Sequence, residues 1–113
     1  MPIPEKLPGK QLRHLRSMSH GLKPIVQVGK HGWTDAIRVQ LDGALLDHEL
    51  IKIRVGSEAP LSAKELGLKA AEGLSAHVAQ TIGSTLVLYR AHPKKPVIKL
   101  PRVKVSATDP EGE

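Results

Sequence analysis

Residues 24–55 read PIVQVGKHGWTDAIRVQLDGALLDHELIKIRV, and the spacing of their apolar side chains changes twice. A short β-branched run ends at Val28 and is bounded by proline and glycine, which is typical of a strand. Apolar residues then recur at helical spacing to about Asp47, after which residues 51–55 alternate between apolar and charged. Strand, helix and strand in this order predict a βαβ unit with parallel strands and a right-handed crossover.

The connection between this strand and helix is Gly29-Lys30-His31-Gly32, which we call the GKHG loop. A glycine at each end allows a positive φ and a close approach to a ligand. Because the loop opens a helix, backbone N–H groups and the positive end of the helix dipole point at whatever binds there. The pattern therefore predicts an anion site with Lys30 as a point charge, although it also fits an ordinary strand-to-helix turn.

A helix before the first strand is predicted from KQLRHLRSMSHGLKP at residues 10–24. We expect Gly21 to be its C-cap, and Pro24 prevents its continuation. Most basic residues fall away from the apolar face, which gives the helix a basic outer surface. The apolar residues recur at spacings of three and four and would share that face: Leu12, Leu15, Met18 and Leu22.

Two further signals mark helix starts. Thr34 is a good N-cap for the helix of the βαβ unit, and Ser62 with Glu65 three residues later is the capping-box pattern. The chain from residue 77 to 91 reads as two strands around Gly83-Ser84, a two-residue turn of the type II′ kind.

The prolines that follow, at 93, 96 and 101, argue against a central strand and leave a short edge strand at Val97–Leu100 as an option. The expected fold class is α/β, with the order α-β-α-β-α-β-β and three helices on a small four-stranded mixed sheet. We expect residues 1–9 to be a leader, 10–100 one domain, and 101–113 a flexible tail that is first basic and then acidic.

The formal net charge is +6 and the sequence pI is about 9.8. Residues 1–30 hold six basic residues and one acid, and residues 92–105 hold five basic residues and no acid. Such a surplus suggests a polyanionic partner. Two basic segments beside one binding face favour nucleic acid, while the same charges also fit a solvated basic surface. The sequence leaves open whether the segment Lys94–Lys104 folds back beside the first helix.

Several function classes have no support in the sequence. There is no cysteine, no phosphate-binding or dinucleotide-binding glycine motif, and no metal-ligand spacing among the six histidines. We therefore expect no cofactor, no metal, no small-molecule substrate and no catalysis.

No apolar stretch reaches the length of a membrane span, and the N-terminus has no signal-peptide core, so we expect a cytoplasmic protein without a membrane partner. Trp33 and Tyr89, the only aromatics, are expected to pack rather than to stack on bases.

Three stretches in this order and spacing resemble the CRM (chloroplast RNA splicing and ribosome maturation) domain: LRHLRSMSHGLKPIVQVGKHGWTDAI, DHELIKIRV and IGSTLVLYR. The similarity spans about Leu12 to Leu100, and a single short domain is similar to the stand-alone bacterial YhbY-type proteins. This sequence departs from the family pattern at His31, where asparagine is frequent, and at Trp33, which is bulkier than the usual aliphatic residue.

The resemblance implies an RNA-binding domain similar in fold to the C-terminal domain of translation initiation factor three, and we expect the protein to be a monomer. It implies ribosomal RNA in precursors of the large ribosomal subunit as the partner. Alternatives that stay open are a protein-interaction module docking on ribosomal particles, an intron-splicing factor, an RNA-modifying enzyme and a duplex DNA binder. The residues implied in RNA contact are those of the loop and of the first helix: Gly29, Lys30, His31, Gly32, Lys10, Arg13, Arg16 and Lys23.

Overall fold

A computed structural model describes residues 7–101 of the chain, so the expected leader and tail lie mostly outside the described residues. The order α-β-α-β-α-β-β is confirmed. Within the described range, every helix is too short or too polar to cross a membrane. The elements are α1 (Gly9–Ser19), β1 (Val26–Val28), α2 (Asp35–His48), β2 (Leu50–Val55), α3 (Ala63–Leu74), β3 (His77–Ile82) and β4 (Thr85–Tyr89).

The four strands form one mixed sheet in the order β1-β2-β4-β3. β1 runs parallel to β2, with Val28 opposite Val55, so the predicted βαβ unit is confirmed. The other two pairings are antiparallel. The hairpin turn between β3 and β4 has φ +55° at Gly83, the positive value that its first position requires.

Both sides of the sheet are covered, but unequally. On one side, α2 and α3 pack on the sheet and form the larger core with alternate strand residues such as Ile51, Ile53 and Val55. On the other side, Leu15 of α1 packs against Leu50 and its neighbours in a smaller core. We call these the α2–α3 side and the α1 side of the sheet.

The predicted capping signals are confirmed. The Thr34 hydroxyl accepts the Ile37 N–H at 3.1 Å, and Ser62 and Glu65 exchange both bonds of a capping box. Trp33 packs beside the start of α2, where its ring lies so close to Gly73 of α3 that a Cβ there would be 3.0 Å from it. Trp33 is therefore a packing residue, as expected.

The apolar face of α1 differs from the prediction at its C-terminal end. Met18 is 39% exposed, and Ser19 is buried beside it with its hydroxyl donating to the Arg16 carbonyl at 2.7 Å. The helix ends at Ser19 with His20 as C-cap in a right-handed conformation, so Gly21 is not the left-handed cap that we expected. The short bond from Ser19 back to its own helix is what lets a polar side chain take the inward position.

The edge strand that the sequence left as an option at Val97–Leu100 does not form. The N–H groups of Val97 and Ile98 donate to the carboxylate of Glu49, at 2.9 and 2.7 Å, and the N–H of His92 donates to it at 2.7 Å. Glu49 lies between α2 and β2 and is only 3% exposed. The N–H groups that an edge strand would donate to a neighbouring strand are therefore bound to a buried carboxylate instead.

The backbone of Glu49 is unusual as well. It has φ +64° and ψ −41°, a conformation that costs a non-glycine residue free energy. Its N–H donates to the Leu45 carbonyl at 2.8 Å, and its carbonyl accepts the Arg90 backbone N–H at 2.9 Å. These two backbone hydrogen bonds hold the conformation. Burial alone would raise the pKa of the Glu49 carboxyl, but the three backbone donors and the nearby His92 keep the pKa below its usual value.

The segment that follows β4 folds back on the α1 side. Ile98 and Leu100 pack against the smaller core, and the Gln11 side chain of α1 donates to the Pro101 carbonyl at 3.2 Å. Lys94, Lys95 and Lys99 are exposed on this segment. The segment Lys94–Lys104 therefore folds back beside the first helix as far as Pro101, while residues 102–104 lie outside the described residues.

Glu49→Gln is expected to lower the free energy of unfolding by about 2 kcal/mol at pH 7, because an amide NH2 group would face a buried backbone donor. The carboxyl has a lower pKa in the folded than in the unfolded chain, so its contribution is complete above the usual value of 4.5 and is lost as the pH falls through the folded-state pKa. Denaturant unfolding at pH 7 and at pH 3.5 should show the difference from wild type shrinking in acid. Glu72→Gln, an exposed charge change on α3, is the control and should have little effect. A pH-independent loss in Glu49→Gln would contradict this account.

Candidate nucleic-acid interface

The GKHG loop is a closed turn packed on its neighbours. The Gly32 N–H donates to the Gly29 carbonyl at 2.9 Å, and Gly32 has φ +63°. A Cβ on Gly32 would lie 2.9 Å from Pro60, so glycine is required here by both conformation and space. Gly32 is buried while Lys30 and His31 are exposed, so the turn presents these two side chains from a fixed backbone.

The loop ends where α2 begins. Thr34 caps the helix, and the positive end of the α2 dipole therefore lies directly behind the loop. An anion bound at the loop would be attracted both by the Lys30 ammonium and by the end of the helix. The predicted anion-site geometry is thus compatible with the local structure.

A carboxylate that the sequence reading did not consider lies beside the loop. Glu58, in the connection from β2 to α3, is so close to Gly56 that a Cβ on that glycine would be 2.7 Å from Oε1. The other oxygen, Oε2, would be 3.8 Å from a Cβ on Gly29. Glu58 thus places a negative charge next to the backbone of the loop, where it opposes anion binding.

The basic residues of α1 have different roles. Arg16 donates from Nε to the carbonyl of Ala79 at 3.0 Å. Ala79 is the extra residue of a bulge in β3, since Val78 and Gln80 lie opposite consecutive residues of β4. Arg16 therefore joins α1 to the bulge while the residue stays exposed. Lys10, Arg13 and Lys23 are exposed too.

The structure does not bring the eight predicted residues into one cluster. α1 packs over β2, β4 and β3, whereas the loop follows the edge strand β1. Lys23 precedes β1 and the loop comes after it, so these two lie at opposite ends of that strand. Between the loop and α1 lies a part of the sheet that α1 leaves uncovered.

That uncovered part carries basic residues that the sequence reading passed over. Lys52 and Arg54 alternate with Ile51, Ile53 and Val55 along β2 and therefore point to the α1 side. The alternation along β2 already places these two side chains on one face of the strand, opposite the apolar residues. The alternation by itself indicates only a half-buried strand, not a basic surface.

Charge is divided between the two sides of the domain. Neither α1 nor any of the four strands contains an acidic residue. Of the seven acids between residues 7 and 101, Glu49 is buried and Glu58 lies beside the loop. The other five lie on α2 and α3: Asp35, Asp42, Asp47, Glu65 and Glu72.

No group of three or more histidine, cysteine or acidic side chains that could hold a metal ion occurs within residues 7–101.

Tyr89 is 4% exposed and stacks on His77 with ring centroids 6.0 Å apart. Its burial, together with the negative charge of Glu49, raises its pKa. Tyr89 is thus a packing residue, as the sequence indicated.

Comparison with known proteins gives consistent results. The chain is 40% identical over 95 residues to the Probable RNA-binding protein YqeI of Bacillus subtilis, covering 84% of this chain and 99% of that protein. It is also 40% identical over 95 residues to an RNA-binding protein of Haemophilus influenzae, covering 82% and 93% of the two chains. The solution structure of a hypothetical protein from Staphylococcus aureus is similar, with a TM-score of 0.68 and 38% identity over 84% of this chain and 99% of that one.

The family model of the CRS1 / YhbY (CRM) domain matches residues 7–90, which span α1 to the end of β4. With the fold, the glycine-bounded loop and these relatives in agreement, the chain belongs to the CRS1/YhbY (CRM) domain family.

Proposed function

We propose that this protein is a non-enzymatic RNA-binding protein. The observation that carries the proposal is the distribution of charge: α1 and the four strands contain no acidic residue, and the GKHG loop lies at one end of this basic surface. A polyanion is attracted to such a surface more than to α2 and α3, where five acids outnumber Arg38, Lys64 and Lys69. The names of the relatives, several of which are called RNA-binding proteins, support RNA as the polyanion.

In this proposal the loop and α1 hold the RNA backbone. The amides of Lys30 and His31 and the Lys30 ammonium bind one or two phosphates, and the His31 ring contacts the adjoining sugar or base. Arg13, Arg16 and the lysines of the segment beside α1 extend the contact. Phosphate contacts of this kind position the protein and depend strongly on salt, and they discriminate poorly between sequences.

We further propose that the RNA is ribosomal RNA in precursors of the large ribosomal subunit, which the resemblance to YhbY-type proteins suggests. Crosslinking of RNA to the protein in cells tests this directly, because it names both the RNA and the contacting residues. Recovery of large-subunit precursor RNA at the GKHG loop is the expected result. Recovery of only messenger or intron RNA would contradict the ribosomal assignment.

The variant Lys30→Ala/His31→Ala should bind structured RNA about tenfold more weakly, because it removes the charge at the loop. The slope of log affinity against log salt concentration should become shallower by about 1. Fluorescence anisotropy with a labelled ribosomal RNA fragment, at several salt concentrations, measures both quantities.

The control is Lys64→Ala/Lys69→Ala, which removes two exposed lysine charges from α3, one more than the loop variant removes. It should leave the affinity within about twofold of wild type if contacts rather than net charge decide binding. Equal losses in the two double variants would show that the loop has no particular role.

Glu58→Gln should raise RNA affinity by about two- to fivefold at low salt, because it removes the negative charge beside Gly29. The gain should shrink as salt is added, since an exposed charge is screened. Glu72→Gln on α3 changes the net charge by the same amount and should have a smaller effect. If both substitutions raise affinity equally, the position of Glu58 beside the loop is irrelevant to binding.

A further inference from the structure

The part of the sheet that α1 leaves uncovered contains a cleft. α1 ends at Ser19, and beyond its end the α1 side of β2, β4 and β3 is open. The cleft has a volume of about 210 Å³. Its walls come from the end of α1 and from the three strands: His20, Lys52, Gln80, Ile82, Thr85 and Val87.

The side chains of the cleft combine an apolar surface with a few polar groups. Val87 is buried at its base, and Ile82 is 60% exposed although it is a large aliphatic residue. Lys52, Gln80 and Thr85 supply an ammonium, an amide and a hydroxyl around this apolar surface. An unpaired nucleobase has the complementary chemistry, since its faces are apolar and its edges carry hydrogen-bond donors and acceptors.

A positive charge lies between the cleft and the GKHG loop. Arg54 lies two residues after Lys52 on β2 and is exposed, and its register partner on β1 is Gln27. Gln27 in turn lies two residues before Gly29, so the uncovered sheet leads directly to the GKHG loop. On the far side of the cleft, Arg16 is fixed by its bond to the Ala79 carbonyl.

The absence of acids from α1 and from all four strands favours a negatively charged occupant. An acidic or neutral peptide would also tolerate the charge, but the cleft is short and is flanked by two separated basic groups, as a nucleotide with a phosphate on each side requires. The bases of a duplex are stacked and paired, so a duplex offers no free base to such a cleft. A loop or a single-stranded end does offer one.

We propose that this cleft receives an unpaired base of the RNA, whose adjoining phosphates are held by Arg54 on the side of the GKHG loop and by Arg16 on the far side. This inference rests on the proposed RNA-binding function and adds the class of RNA to it: structured RNA with an unpaired segment next to a helix. Selectivity comes from the uncharged side chains of the cleft, and affinity from the charges around it.

The test compares two RNAs with equal numbers of phosphates, a hairpin with a single-stranded extension and a fully paired hairpin. Wild type should bind the RNA with the extension about tenfold more tightly. The variant Gln80→Ala/Ile82→Ala removes the uncharged cleft groups from β3 and should lose this preference while keeping the salt dependence of wild type. Thr81→Ala, an exposed residue between the two on the opposite side of β3, is the matched control and should keep the preference.

Equal affinity of wild type for the two RNAs, or an unchanged preference in Gln80→Ala/Ile82→Ala, would overturn the inference and leave RNA binding intact. Failure of wild type to bind either RNA would instead remove the proposed function itself. Thermal unfolding checks that each variant is folded, and Lys52→Gln provides a second cleft variant should the double variant not fold. A shift from dimer to monomer in Gln80→Ala/Ile82→Ala would show that a second copy covers the cleft, which also overturns the inference.

Discussion

The parallel pairing of β1 with β2 determines where every other part of the domain lies. Parallel neighbours cannot be joined by a tight turn, so the chain must cross one side of the sheet between them, and α2 makes this crossing. The crossing helix carries its apolar stripe to the sheet and leaves its acidic residues outside. α1 and the segment after β4 are then left with the other side, where neither α1 nor the strands carry an acidic residue. The separation of charge that supports RNA binding is therefore a consequence of topology as much as of composition.

The same constraint explains the position of the loop. The GKHG loop lies where the chain leaves β1 and turns toward α2, so its backbone is tied to the sheet on one side and to a helix start on the other. Contact with Pro60 and the positive φ of Gly32 fix it further. A loop held in this way can meet a phosphate with little loss of conformational entropy, which is the advantage of a preorganised site. Glu58 beside it reduces the net charge of the site.

Most of the fold could be predicted because local patterns agree with the final packing. The period of the apolar residues, the caps at Thr34 and Ser62 and the Gly83 turn all depend on short stretches of chain. Glu49 could not be read in this way, since its three donors lie more than forty residues further on and nothing local distinguishes it from a surface acid. Likewise, the alternation along β2 marks Lys52 and Arg54 as pointing out of the larger core. Whether α1 covers them depends on where that helix ends, and Ser19 ends it early.

The way in which Glu49 holds the segment after β4 has a consequence for how the sequence can vary. The carboxylate binds only main-chain N–H groups, at His92, Val97 and Ile98, and so places no demand on the side chains at those positions. The two prolines within the segment, Pro93 and Pro96, occupy positions that donate nothing to it. Side chains such as those of Lys94 and Lys95 can thus be exchanged or moved along the segment over evolutionary time without loosening its attachment. Proline at any of the three donor positions would remove one of these bonds, because it has no N–H to give.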